Sequence, residues 1–192
     1  TSYLSSNPNN GNYVVLLSGV QARLTFQDLT IESTSGKNVF VFRDSVADIT
    51  VTNCIVTLSQ SQYYGYAFTR FGNSYSDSIT ITNNIFNYGS GVLNLGGTAT
   101  NNSTFIFNSN TLNTIGNTAI STFGWTKVEI NDNDMTGGSR FVNYNGNSGS
   151  DDIEINNNTM VFASSGSQTA IYAQGGDHSR FKVLNNTIRM NT

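Results

Sequence analysis

Few residues in this chain are of types that do chemistry. The run Asp177-His178-Ser179-Arg180-Phe181-Lys182 holds the single histidine, with a carboxylate and two cations beside it. A histidine next to an aspartate can serve as a general base, and arginine or lysine can neutralise an acidic substrate. Asp177, His178, Arg180 and Lys182 are therefore the candidate catalytic residues, although a His beside an Asp in a turn is ordinarily an exposed polar pair. Glu129 and Glu154 sit in equivalent positions of a repeated phrase. Paired carboxylates can act as acid and base, but a solvated ladder in which Lys182 offsets Glu154 accounts for them as well. Asp132-Asn133-Asp134 lacks the glycine and terminal glutamate of a calcium loop. Turn chemistry explains it, and no metal or cofactor is expected. Cys54 is the only cysteine, which excludes an internal disulfide and reads as a small core residue.

Binding residues are more plentiful. The loop Thr57–Gly65 (TLSQSQYYG) carries Tyr63 and Tyr64, and the strand after it Tyr66 and Arg70. Tyr75 lies in the next turn and Tyr88 beyond it. Tyrosine and arginine gathered on one side of a polar surface make a contact patch. Sugar rings stack on aromatic faces, so these six residues are the candidate glycan contacts; the alternative is that the tyrosines simply cover the core. Thr50, Thr52, Thr80 and Thr82 form two T-x-T pairs, which the β-propensity of threonine explains. N-x-[ST] matches at Asn101, Asn102, Asn157 and Asn185 are expected by chance in a chain this rich in Asn, Ser and Thr.

Composition says what must position these groups. The chain has 192 residues, only 11% of them charged, and a net charge of −3. Nucleic-acid binding needs clustered Lys and Arg and is excluded on that ground. No apolar run is long enough for a membrane helix. Abundant Asn, Ser, Thr and Gly disfavour helices, while Ile, Val, Phe and Tyr favour strands.

One phrase recurs seven times. It reads LTFQDLTI from Leu24, ITVTNCIV from Ile49, ITITNNIF from Ile79 and FIFNSNTL from Phe105. It continues as VEINDNDM from Val128, IEINNNTM from Ile153 and FKVLNNTI from Phe181. Positions one and three are apolar, which buries one face of a strand. An asparagine pair between the two apolar stretches suits a tight turn, since asparagine tolerates left-handed backbone, and position eight is apolar again. Position six is Leu29, Cys54, Asn84, Asn110, Asn133, Asn158 and Asn186. Stacked, those asparagines form an amide ladder that satisfies buried polar groups rung by rung. A second strand type follows, at 39–42, 67–71, 92–95, 119–123, 141–144 and 170–173. Aligned on their ends, these strands predict an inner column of Phe42, Phe71, Leu95, Phe123, Tyr144 and Ala173. Val41, Arg70, Asn94, Thr122, Asn143 and Tyr172 then point outward.

The pattern predicts an all-β chain: a single-stranded parallel β-helix, or solenoid, of about seven rungs of roughly 26 residues, about three strands per turn. ITITNNIF, IEINNNTM and FKVLNNTI resemble the right-handed parallel β-helix of the pectate-lyase-like superfamily, over residues 13–190. That resemblance implies polysaccharide lyases, hydrolases, epimerases, tailspikes or adhesins, with chemistry on the second strand type. The outward column there carries no carboxylate. The Asp177–Lys182 run is similar to the Gly-His-Gly and Arg-Ile-Lys elements of polygalacturonases, but those elements stand on different rungs and are accompanied by aspartates.

Residues 1–12 read as an N-terminal loop or arm. Residues 13–192 read as the β-helix, a segment of a longer chain or one capped by partners, with Tyr13–Ser18 in an incomplete first rung. The expected function is a non-catalytic extracellular module at a cell or virion surface. It would serve as a stalk and a polysaccharide- or glycan-contacting element of an adhesin, surface filament or tail fibre. The alternatives are a polysaccharide lyase, hydrolase or epimerase completed elsewhere, and a subunit that self-associates end to end.

Overall fold

The computed structural model describes residues 2–5, 13–18, 23–33, 38–43, 46–58, 65–71, 76–96, 103–146, 150–162, 167–175 and 177–190. Strands form three parallel sheets that wind as a β-solenoid. The first sheet holds the opening half of each repeat: Leu24–Gln27, Val46–Thr52, Ser76–Thr82, Thr104–Asn108, Lys127–Asn131, Ser150–Asn156 and Asp177–Leu184. The second holds Ser2–Ser5, Leu29–Ser33, Ile55–Leu58, Ile85–Asn87, Thr111–Ile115, Asp134–Gly137, Thr159–Phe162 and Thr187–Met190. The third holds Tyr13–Ser18, Asn38–Arg43, Tyr66–Phe71, Gly91–Gly96, Thr118–Phe123, Arg140–Asn145 and Thr169–Gln174. Seven rungs is slightly too many for complete turns. The last first-sheet strand is followed by a second-sheet strand but, among the described residues, by none in the third. Ser2–Ser5, within the stretch read as a loop or arm, pairs with Leu29–Ser33.

The corner between the first and second sheets is built by position five. Asp28, Asn53, Asn83, Ser109, Asp132, Asn157 and Asn185 all have φ between 54° and 58°. Short polar side chains tolerate that left-handed backbone, which lets a strand turn sharply without a loop.

Position six carries the ladder. The backbone N–H of Asn84, Asn110, Asn133 and Asn158 each donates to the Oδ1 of the asparagine on the following rung, at 2.9–3.0 Å. Each Nδ2 donates to that same oxygen and to a carbonyl of the preceding rung. Cys54 substitutes for an amide. Its Sγ donates to the carbonyls of Phe26 and Thr52 at 3.6 and 3.3 Å, the positions that Asn84 Nδ2 serves one rung on. Burial pushes the Cys54 thiol pKa up. Cys54→Asn should extend the ladder by a rung and raise stability by about 1 kcal/mol, read as an upward shift of the denaturation midpoint.

A second ladder lies outside the first. Asn108, Asn131 and Asn156 offer Oδ1 to the backbone N–H of Asn131, Asn156 and Leu184 at 2.8, 3.0 and 3.0 Å.

The core between the sheets holds a continuous aromatic path. Phe26, Phe40, Phe68, Phe86, Phe107, Phe105 and Trp125 follow one another with ring centroids 4.8–6.2 Å apart. Of the predicted column, Phe42, Leu95 and Tyr144 are buried in this core, but the register that joins them differs from the one expected. In the third sheet Phe42 pairs with Arg70 rather than Phe71, and Leu95 with Thr122 rather than Phe123. Side chains alternate with period two, so a one-residue displacement reverses the face. One inner column is Val15, Phe40, Phe68, Leu93, Ile120, Val142 and Ile171, and a second, two residues on, holds Leu17, Phe42, Leu95, Thr122 and Tyr144. Thr122 is buried where Phe123 was expected, and its hydroxyl accepts the indole N–H of Trp125 at 2.6 Å.

Candidate functional site

The corrected register also corrects the outer column of the third sheet. It runs Val41, Thr69, Asn94, Ser121, Asn143 and Tyr172, so Thr69 and Ser121 replace Arg70 and Thr122. Val41 and Thr69 are buried; Asn94, Ser121 and Asn143 are half-buried; Tyr172 is 40% exposed. The hydrophobic end thus gives way to amides, a hydroxyl and a solvent-facing aromatic ring.

Neighbouring columns complete this surface. Arg140 pairs with Thr118 and Thr169, and its guanidinium lies over the Tyr172 ring, 4.8 Å from the centroid. That cation–π contact fixes both side chains. The Tyr172 hydroxyl donates to Gln174 Oε1 at 2.8 Å, and Asn143 Nδ2 makes a long 3.5 Å contact with Ser121 Oγ. Asn143 Oδ1 and Arg140 Nε have no hydrogen-bond partner among the described residues. Uncharged amides, hydroxyls and one clamped aromatic can bind a polyhydroxylated ligand, whose hydroxyls both donate and accept.

Of the six candidate contacts read from sequence, Tyr63, Tyr64 and Tyr75 lie outside the described residues. Arg70 lies in the strand Tyr66–Phe71 at the register of Phe42. Tyr66 and Tyr88 flank the corner between the second and third sheets, where Ser90 N–H donates to Gly65 O at 2.9 Å. The Tyr66 ring packs over Gly91: a Cβ there would come within 2.6 Å of Cε1 and 2.2 Å of the Thr118 carbonyl. Half-buried Tyr66 is therefore partly corner packing. Tyr172, Arg140 and Gln174 were missing from the sequence-based contacts. The signal for them was the polar outer column itself.

The catalytic candidates stand on the first sheet instead. Asp177 and His178 begin the strand Asp177–Leu184 rather than a turn, with Asp177 paired to Ser150. Arg180 Nη2 contacts Asp152 at 3.0 Å, and Lys182 Nζ contacts Glu154 at 2.5 Å. Lys127 likewise pairs with Glu129 at 2.5 Å. Glu129 and Glu154 are direct neighbours in register, and each holds its own cation. The expected offset of Glu154 by Lys182 is thus present. Among the described residues no group of three His, Cys, Asp or Glu side chains could hold a metal. The sequon residues Asn157 and Asn185 are exposed at left-handed corners; Asn101 and Asn102 lie outside the described residues.

The hydrogen bond from Lys182, and then its charge, hold the Glu154 carboxyl below its ordinary range. A carboxyl depressed on folding stabilises above its unfolded pKa and loses that contribution as pH falls through the folded value. Acid titration should therefore show a small loss of stability below about pH 4. It should shrink in high salt and vanish in Glu154→Gln, because the pair is exposed.

No family model, curated protein or solved structure matches the chain.

Proposed function

We propose that this chain is a non-catalytic, extracellular β-helix module that serves as a stalk and contacts a polysaccharide or cell-surface glycan through the outer face of its third sheet. It would belong to the adhesin, surface-filament or tail-fibre type of pectate-lyase-like β-helix. The observation that carries the reading is the Tyr172 ring, exposed and clamped by Arg140 on a face of amides and hydroxyls. A sugar ring stacks on such an aromatic face while its hydroxyls reach Asn143, Ser121 and Gln174. Tyrosine and arginine held rigidly lose little entropy on binding and often dominate contact energy.

The test is a panel of neutral and uronic-acid polysaccharides offered to the wild-type chain and to Tyr172→Ala. The exposed ring can be removed without opening the core. Binding of one polymer, weakened about tenfold or more in the variant, supports the reading, tenfold being about 1.4 kcal/mol. Cleavage of a polymer, lost in His178→Ala or Lys182→Ala, would instead make the chain an enzyme. Binding unchanged in Tyr172→Ala would move the contact elsewhere, with the Tyr63–Tyr66 stretch next to be mutated.

A further inference from the structure

Two buried polar atoms on one strand are unmatched, and they are of opposite kind. Arg140 Nε is a donor and Asn143 Oδ1 an acceptor, and neither has a hydrogen-bond partner among the described residues. Both belong to Arg140–Asn145, an inner strand of the third sheet with Thr118–Phe123 paired on one side and Thr169–Gln174 on the other. A buried donor or acceptor left unmet costs the desolvation of that group, so native folds match nearly all of them. Two such atoms of complementary kind, three residues apart on one outer face, mark a place made for something else to bind.

Tyr172 lies beside both. It is the register partner of Asn143 on the next strand, and its ring lies under the Arg140 guanidinium, 4.8 Å away at the centroid. Asn143 points Nδ2 back toward Ser121 Oγ at 3.5 Å, which turns Oδ1 toward the Tyr172 strand. The ring is 40% exposed and is latched at its rim by one hydrogen bond, from its hydroxyl to Gln174 Oε1 at 2.8 Å. A surface ring held in this way can change rotamer quickly.

We infer that the Tyr172 ring swings aside and the notch beside it takes the acetamido group of an N-acetylated amino sugar, whose carbonyl accepts Arg140 Nε–H and whose N–H donates to Asn143 Oδ1. This rests on the glycan reading above and names the class of sugar. The notch needs a group that accepts from one atom and donates to the other. A carboxylate only accepts, and would set oxygen against Asn143 Oδ1. An ammonium only donates, and would face the Arg140 guanidinium. A hydroxyl does both from a single atom, which would have to reach side chains rooted about 10 Å apart, three residues along a strand. A trans secondary amide carries donor and acceptor on opposite edges and spans the two. Turned outward, the Tyr172 ring still offers its face to the pyranose, so both contacts belong to one bound sugar.

Chitotetraose, its de-N-acetylated form and cellotetraose share linkage and length and differ in this substituent alone. Titrated by calorimetry into the 192-residue chain, chitotetraose should bind about tenfold or more tightly than either of the others, the worth of two neutral hydrogen bonds. The Arg140 Nε–H and Asn143 side-chain amide resonances should shift with chitotetraose and not with cellotetraose. Asn143→Leu keeps the bulk and removes the acceptor, and the preference should disappear in it; the comparison of the three sugars on the wild-type chain needs no variant to fold. Equal binding of the three, tighter binding of the de-N-acetylated or plain form, or a preference that survives in Asn143→Leu would overturn the inference. So would silence from all three while another polysaccharide binds and loses affinity in Tyr172→Ala, a result that leaves the glycan reading standing. If no polysaccharide depends on Tyr172, both fall.

Discussion

Asn133→Ala should lower stability by about 3–5 kcal/mol, a large share of the 5–15 kcal/mol that holds a typical domain together. Asn133 Oδ1 accepts the N–H and Nδ2–H of Asn110 at 2.9 and 3.1 Å. Its Nδ2 donates to Phe107 O and Asn158 Oδ1 at 2.8 and 2.9 Å. The truncation leaves two buried donors and one carbonyl without these partners, and each unmet buried group costs about 1–3 kcal/mol. Water entering the gap recovers part of that. The informative control is Asn157→Ala. Asn157 neighbours a ladder residue in sequence but is exposed, and its task is a φ of 57°. Alanine there costs only the left-handed strain, about 1–2 kcal/mol. Denaturant midpoints for the two variants should differ severalfold in displacement from wild type. Equal displacements would mean that the ladder contributes no more than the corner.

Trp125→Ala is expected to cost about 3–5 kcal/mol. Trp125 is fully buried on the connection from the third sheet to the first, and its ring stacks on Phe105 at 5.6 Å. Its indole N–H donates to Thr122 and its carbonyl accepts the Tyr144 hydroxyl at 3.2 Å. Thr122→Val separates the polar part from the packing part. It keeps the volume and leaves the indole donor unmet, for about 1–3 kcal/mol. In a double-mutant cycle the two losses should be strongly non-additive, because Thr122 has no indole to serve once Trp125 is gone. Additive losses would contradict the pairing.

Sequence and structure agree where the repeat is tight. The first and second sheets were legible because every copy of the eight-residue phrase keeps its apolar positions and turn residue. Even Cys54 could be placed, since its five asparagine siblings defined its position. The third sheet was legible only in outline. Val39 and Phe40, or Ala119 and Ile120, are buried side by side near a corner, so strict alternation fails and strand ends are a poor guide to register. That one-residue error moved Phe71 and Phe123 into the expected core, and Arg70 and Thr122 onto the expected face. Trp125 escaped notice because it belongs to no repeat position. The outer ladder was visible in principle, as Asn108, Asn131 and Asn156 at position four. The surface was the least legible part. Tyr172 stands out only in the fold, where Arg140, three positions before its register partner Asn143, lies over its ring.

Recognition on the outer face of the third sheet would place a ligand against Tyr172 and Asn143. Backbone amide NMR of the chain, titrated with the oligosaccharide repeat of whichever polysaccharide it binds, tests this most directly. Saturable shifts are expected at Ser121, Arg140, Asn143, Tyr172 and Gln174, and none of them in Tyr172→Ala. Shifts confined to Asp152, Glu154, Arg180 and Lys182 on the first sheet would contradict it.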